Sequence, residues 1–84
     1  MNHYASSAFW FHYRQLPESV RTVADKNFEF LRENSRHPSL HFKTIGRFRS
    51  VRVGLGYRAL GVEVADGVLW IWIGSHADYD RLIG

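Results

Sequence analysis

The sequence predicts an α+β fold: two N-terminal helices packed on one face of a four-stranded, mainly antiparallel sheet, with a short C-terminal helical turn. Three observations carry this expectation. Apolar residues recur at helical spacing as far as Asn34, the period changes from 3.6 to 2 after Pro38, and glycine-containing turn signals then divide the rest of the chain into short β segments.

Taking the elements in order, Ser6 or Ser7 is placed to cap a short helix in which Phe9, Tyr13 and Leu16 fall at i, i+4 and i+7 and form one aromatic stripe. Residues before it offer an optional edge strand over Met1 to Tyr4. Pro17 suits the first turn of a second helix, and Glu18 beside it complements the helix dipole. This helix runs to about Asn34, with Val20, Val23, Ala24, Phe28, Phe30 and Leu31 on a wide apolar face. Pro38 forces His37 out of helical geometry. A strand is then expected to place Leu40 and Phe42 on one face, with His41 and Lys43 on the other. Gly46-Arg47 turns into a strand over Arg49 to Val53, Gly54-Leu55-Gly56 turns into Tyr57 to Val64, and Asp66-Gly67 signals a tight hairpin. The last strand, Val68 to Ile73, is apolar on both faces and belongs in the middle of the sheet or under a partner. Ser75 with Asp78 three residues later opens a final helical turn.

An 84-residue chain has room for one core, so residues 1–84 are read as one domain whose stability is narrow enough to benefit from a partner. With 45% hydrophobic and 15% aromatic residues, it is too apolar for a disordered tail. The absence of cysteine excludes disulfide scaffolds, thiolate zinc sites and cysteine nucleophiles, and fits a reducing cytoplasm. No apolar run approaches the roughly 20 residues of a membrane span, and no signal-peptide pattern is present, so a cytoplasmic location without membrane contact is expected.

The net charge of +3 is unevenly placed. Arg36, Lys43, Arg47, Arg49, Arg52 and Arg58 follow one another with no carboxylate between Glu33 and Glu63. Such a run is a footprint for a polyanion. A charged sheet edge that resists aggregation would look similar.

On the third strand of the predicted meander, Arg58 shares a face with Leu60, Val62 and Val64, and Tyr57, Ala59, Gly61 and Glu63 take the other. Capping the strand end or pairing with Asp66 or Glu63 would also account for Arg58. The hairpin brings His76, just beyond the last strand, to the same end of the sheet. The dipole of the final helix disfavours imidazolium there, so a neutral His76 is available as a base. Tyr79, at i+3, lies on the same side of that turn. Local physics by itself fits a structural role for His76 better than a catalytic one. No metal site is expected, because Pro38 prevents His37 and His41 from converging, and no phosphate loop or Ser-His-Asp arrangement is present. No cofactor is implied.

Arg, Lys, His and Tyr without a metal suit cleavage of RNA by its own 2′-hydroxyl: a base removes that proton, cations stabilise the pentacovalent phosphate, and an acid protonates the leaving 5′-oxygen. Trp70, Trp72 and Tyr57 offer faces on which single-stranded bases stack, although core filling explains the tryptophans equally well.

Leu16-Pro17-Glu18, His37-Pro38-Ser39-Leu40-His41-Phe42-Lys43, Ser50-Val51-Arg52-Val53, Gly56-Tyr57-Arg58-Ala59-Leu60 and Trp72-Ile73-Gly74-Ser75-His76-Ala77-Asp78-Tyr79, in this order and spacing, resemble the RelE/ParE superfamily of bacterial toxins from type II toxin-antitoxin pairs. The resemblance covers nearly the whole chain. It implies a toxin that cleaves messenger RNA, usually at the ribosome, and is held inactive by a cognate antitoxin protein. It further implies catalytic roles for Arg58 at the scissile phosphate, His76 in acid-base chemistry and Tyr79 beside it, with Arg52 and Lys43 as further cations on the RNA. Arg49, from the cation run, and Tyr57, as a stacking face, are also expected to bind RNA. The chain carries fewer lysines on that face than some ribosome-dependent members. Two alternatives stand beside this one: a gyrase-poisoning toxin of the same superfamily, and a nucleic-acid-binding module without turnover.

Overall fold

The computed structural model describes residues 1–84. In chain order its elements are β1 (Asn2–Ala5), α1 (Ser7–Tyr13), α2 (Glu18–Glu33), a 3-10 turn (Pro38–Leu40), β2 (Lys43–Ile45), β3 (Phe48–Val53), β4 (Tyr57–Val64), β5 (Gly67–Ser75) and α3 (His76–Ile83). The sheet has five strands in the order β1-β5-β4-β3-β2. Strands β2 to β5 form the expected antiparallel meander, and β1 adds to β5 in parallel.

The fifth strand corrects the four-stranded expectation. Four residues ahead of the first helix carry too little pattern to declare a strand, and their pairing partner lies more than 60 positions away, Asn2 opposite Gly67 and Ala5 opposite Trp70. A Cβ on Gly67 would stand 1.9 Å from the Asn2 carbonyl oxygen, so only glycine allows this approach. Asp66 completes the join, accepting from Asn2 Nδ2 at 3.0 Å and from the Tyr4 hydroxyl at 2.7 Å, and these two bonds hold its carboxyl below the usual range. The tight turn itself is Ala65-Asp66, with Gly67 already paired to Val64.

Both helix starts with serine caps follow local chemistry. Ser6 Oγ accepts from the Phe9 amide and Ser75 Oγ from the Asp78 amide, each at 3.1 Å. The expected C-terminal turn is an eight-residue helix. Pro17 lies one place outside α2, as its N-cap. A second correction concerns Leu40 and Phe42. Leu40 closes a 3-10 turn and His41 takes a left-handed conformation with φ of 46°, so the strand starts only at Lys43. Leu40 is nevertheless wholly buried and Phe42 packs on the core. Alternate apolar residues reached the core by a turn instead of a pleat.

The core lies between the sheet and the first two helices. Leu16, Leu31 and Leu40 meet Val51 and Val53 of β3, Ala59 of β4 and Val68, Trp70 and Ile73 of β5. Phe9 and Tyr13 of α1 and Val20, Ala24 and Phe30 of α2 border this cluster, placing both N-terminal helices on one face. Strict alternation along β5 would separate Trp70 from Ile73. The register shift opposite Leu60 and Gly61 inserts Ile71 as an unpaired residue and turns both toward the helices. Two hydrogen bonds between elements fix the layers: the Tyr13 hydroxyl donates to Asp25 at 2.7 Å, and Asn27 Nδ2, buried, donates to the Arg52 carbonyl at 3.0 Å.

Two expectations follow. Leu40→Ala empties a fully enclosed site and should cost about 2–5 kcal/mol, read as a lower denaturation midpoint in urea. His3 Nδ1 accepts from Trp70 Nε1 at 3.1 Å, and burial, followed by the nearby terminal ammonium, lowers its pKa from 6.5. The neutral ring is therefore favoured in the fold. Its stabilising contribution is complete above the unfolded value and is lost as the pH falls from 6.5 through the lower folded value. Melting temperatures taken from roughly pH 7.5 down to pH 5 should fall more steeply for the native chain than for His3→Gln.

Candidate functional site

Strand alternation sends the residues of β3, β4 and β5 that avoid the helices to the opposite face. Arg52 lies directly opposite Arg58, and Arg58 opposite Gly74. The adjacent row runs Lys43, Ser50, Leu60, Trp72 across four strands. Like charges facing each other across a ladder destabilise a sheet. Here the pair is kept, and α3 folds back over it.

Arg58 is only 7% exposed, which for a guanidinium demands a reason. One nitrogen donates to the adjacent Tyr57 carbonyl at 3.2 Å, and Cζ lies 5.8 Å from the Tyr79 ring centroid in a cation-π contact. Burial, and after it the charge of Arg52, pull its pKa below the usual arginine range, while Tyr79 and Asp80 act in the opposite sense. No carboxylate forms a salt bridge with Arg58 or Arg52. The Arg52 Nε, the Ser50 Oγ and the Tyr79 hydroxyl are all buried without a hydrogen-bond partner in the chain. Buried polar groups are ordinarily satisfied. The Ser50 and Tyr79 hydroxyls, together with the cross-strand Arg52 and Arg58, make a concentrated donor set for an anion with several oxygens.

His76 opens α3 at the end of β5. Its amide donates to the Gly56 carbonyl at 2.8 Å, tying the helix start to the β3–β4 turn. The ring centroid lies 6.0 Å from that of Tyr79, and Nε2 lies 3.2 Å from Asp80 Oδ2. Tyr79, 3% exposed, thus stands between the exposed imidazole and the buried guanidinium. The arrangement offers fixed positive charge, a titratable ring oriented by a carboxylate, and no cluster of side chains able to hold a metal ion.

Of the residues singled out from sequence, Arg58, His76 and Tyr79 come together, Arg52 joins them across the ladder, and Lys43 lies exposed on the same face. Arg49 and Tyr57 do not join them. Arg49 has the parity of Val51 and Val53, on the helix side of the sheet, and pairs with Glu63 at 3.3 Å. Tyr57 packs against the core. Trp70 is buried at 4% exposure among the helices and presents no free face. Ser50 and Asp80 escaped the sequence reading. Asp80 was findable, since i+4 on a helix faces the same side as His76. Ser50 was not, because its importance rests on burial.

The orphaned Tyr79 hydroxyl generates a test. Tyr79→Phe removes an unsatisfied buried donor and keeps the ring against Arg58, so stability should hold or rise by up to about 1 kcal/mol. Tyr79→Ala uncovers the arginine and should cost about 3–5 kcal/mol. Urea denaturation of the two variants distinguishes these outcomes.

No protein-family model and no curated protein matches the sequence. Solved structures do. The chain is similar to a structure of the RelB-RelE antitoxin-toxin complex from Methanococcus jannaschii, with a TM-score of 0.75 and 16% identity, over 96% of this chain and 99% of that one. It is similar to the isolated RelE toxin of E. coli, with a TM-score of 0.64 and 15% identity, over 95% and 93% of the two chains. A copper-bound mutant toxin from Helicobacter pylori gives 0.64 at 11% identity, over 93% and 97%. At these identities the likeness speaks for architecture, and over 95–96% of its length this chain has the fold of the RelE toxins.

Proposed function

We propose that this chain is the toxin of a type II toxin-antitoxin pair and a metal-independent endoribonuclease that cuts messenger RNA at the ribosome. The observation that supports this most is the cross-strand pair of half-buried Arg52 and buried Arg58, neither of them salt-bridged to a carboxylate, beside the helix that carries His76 and Tyr79. In this reading the two guanidiniums bind the non-bridging oxygens of one phosphodiester and stabilise the negative charge that grows on them. His76 removes the proton of the preceding 2′-hydroxyl, or returns a proton to the departing 5′-oxygen. The 2′-oxygen forms a bond to phosphorus as the bond to the 5′-oxygen breaks, leaving a 2′,3′-cyclic phosphate and a 5′-hydroxyl. Tyr79 holds Arg58 in place through its ring face. Lys43 extends the positive track along the same face, whereas Arg49 and Tyr57 stand on the other side and are assigned no RNA contact here.

The partner in this reading is an antitoxin protein, and the setting is the cytoplasm. No helix of the chain is long and apolar enough to cross a membrane.

Expression without the partner should arrest growth, and primer extension on cellular messages should show discrete cuts. Arg58→Ala and His76→Ala should each lower cleavage by roughly 100-fold or more, the scale for losing one transition-state donor or a general acid-base group. Full toxicity in both variants would remove these residues from the mechanism. Trapped gyrase-DNA complexes with intact messages would replace the nuclease reading by a gyrase poison.

A further inference from the structure

Beside the arginine pair lies an aromatic side chain that the cleavage chemistry leaves unused. Trp72 is half-buried and belongs to the row next to Arg58, opposite Leu60. Its six-membered ring lies across Gly74. A Cβ built there would stand 2.5 Å from Trp72 Cζ2 and 2.9 Å from Cη2, so glycine at that position is what leaves room for the indole. Gly74 is itself the cross-strand partner of Arg58, so the ring packs on the backbone neighbour of Arg58. His12 of α1 lies beside the indole, with ring centroids 6.2 Å apart and the ring planes tilted by 57°. The second tryptophan of the strand, Trp70, spends its indole N–H on His3 inside the core. The two therefore have different surroundings despite their proximity in sequence.

A half-buried indole, seated against a glycine and next to the cross-strand Arg52-Arg58 pair, matches the two demands of a nucleotide: a π-face for the base and cations for the phosphate. We infer that Trp72 is the stacking platform for the base attached to the phosphate that Arg52 and Arg58 hold. The inference rests on the RNA-cleavage reading for the identity of the ligand and adds the residue that seats its base. Stacking tolerates any base, so this contact contributes affinity and placement without reading sequence.

The test uses the full chain and a single-stranded 2′-O-methyl oligouridine of about ten nucleotides, which cannot be cleaved through its 2′-oxygen and falls within the site sizes of small single-strand-binding domains. Binding is followed by anisotropy, and by indole emission in a Trp10→Phe background. Trp72→Leu keeps apolar volume but no π-face and should bind roughly 5- to 100-fold more weakly. Trp72→Phe should stay within about threefold of the native chain while losing the emission quench. Arg52→Ala should weaken binding and flatten its salt dependence, whereas the Trp72 variants should leave the salt slope unchanged. If Trp72→Leu does not fold, the quench in the Trp10→Phe background and its loss in Trp72→Phe decide the matter. Arginine-dependent binding with no quench, or with an unaltered Trp72→Leu, overturns the platform and leaves the nuclease reading standing. Failure of the native chain to bind the oligonucleotide overturns the platform, and the nuclease reading is then decided by the cuts seen in primer extension.

Discussion

The register shift between Leu60 and Gly61 on β4 decides the character of both sides of the sheet. Because Ile71 is skipped, Trp70 and Ile73 both enter the core, while Trp72 and Gly74 turn to the side that carries Arg52 and Arg58. An unshifted ladder would put Trp70, Trp72 and Gly74 on one face and leave Ile73 on the other. The core would then lose a residue, and the arginine pair would lose its neighbours. One unpaired residue in the strand thus couples the packing of the helices to the composition of the opposite face.

That opposite face is built at a cost to stability. Two arginines stand across from each other, one of them almost fully buried, and three polar atoms around them find no partner in the chain. A sheet selected only for stability would fill these places with apolar residues. The cost is offset elsewhere, by a core that encloses Leu40 and Val68 and by Asn27, which secures the Arg52 backbone from the other side. Unpaired polar groups of this kind, compensated by a well-packed remainder, are the departure from local consistency that proteins show at functional sites.

Much of this was readable in the chain. A serine cap on the first helix, the cap at Ser75, the extent of β4, the interior place of β5 and the convergence of Arg58 with His76 and Tyr79 all follow from short-range chemistry and from one hairpin. The errors share a cause. At Leu40 and Phe42, alternating burial was produced by a 3-10 turn, because periodicity reports which residues are buried and not the backbone path that buries them. For Arg49 and Tyr57, charge and aromaticity suggested a ligand, and strand parity placed both with the helices.

The sequence by itself determined the fold class, the helix starts, the antiparallel meander and the end of the sheet where polar chemistry gathers, because capping, hairpin geometry and amphipathic period are local properties. Only the tertiary structure decided the parallel seat of β1, the different fates of Trp70 and Trp72, and the burial of Arg58 beneath Tyr79. Each of these depends on a contact between distant segments or on a single skipped residue in a ladder. Such features leave no periodic trace in the chain, and they settle which face of the sheet a side chain joins.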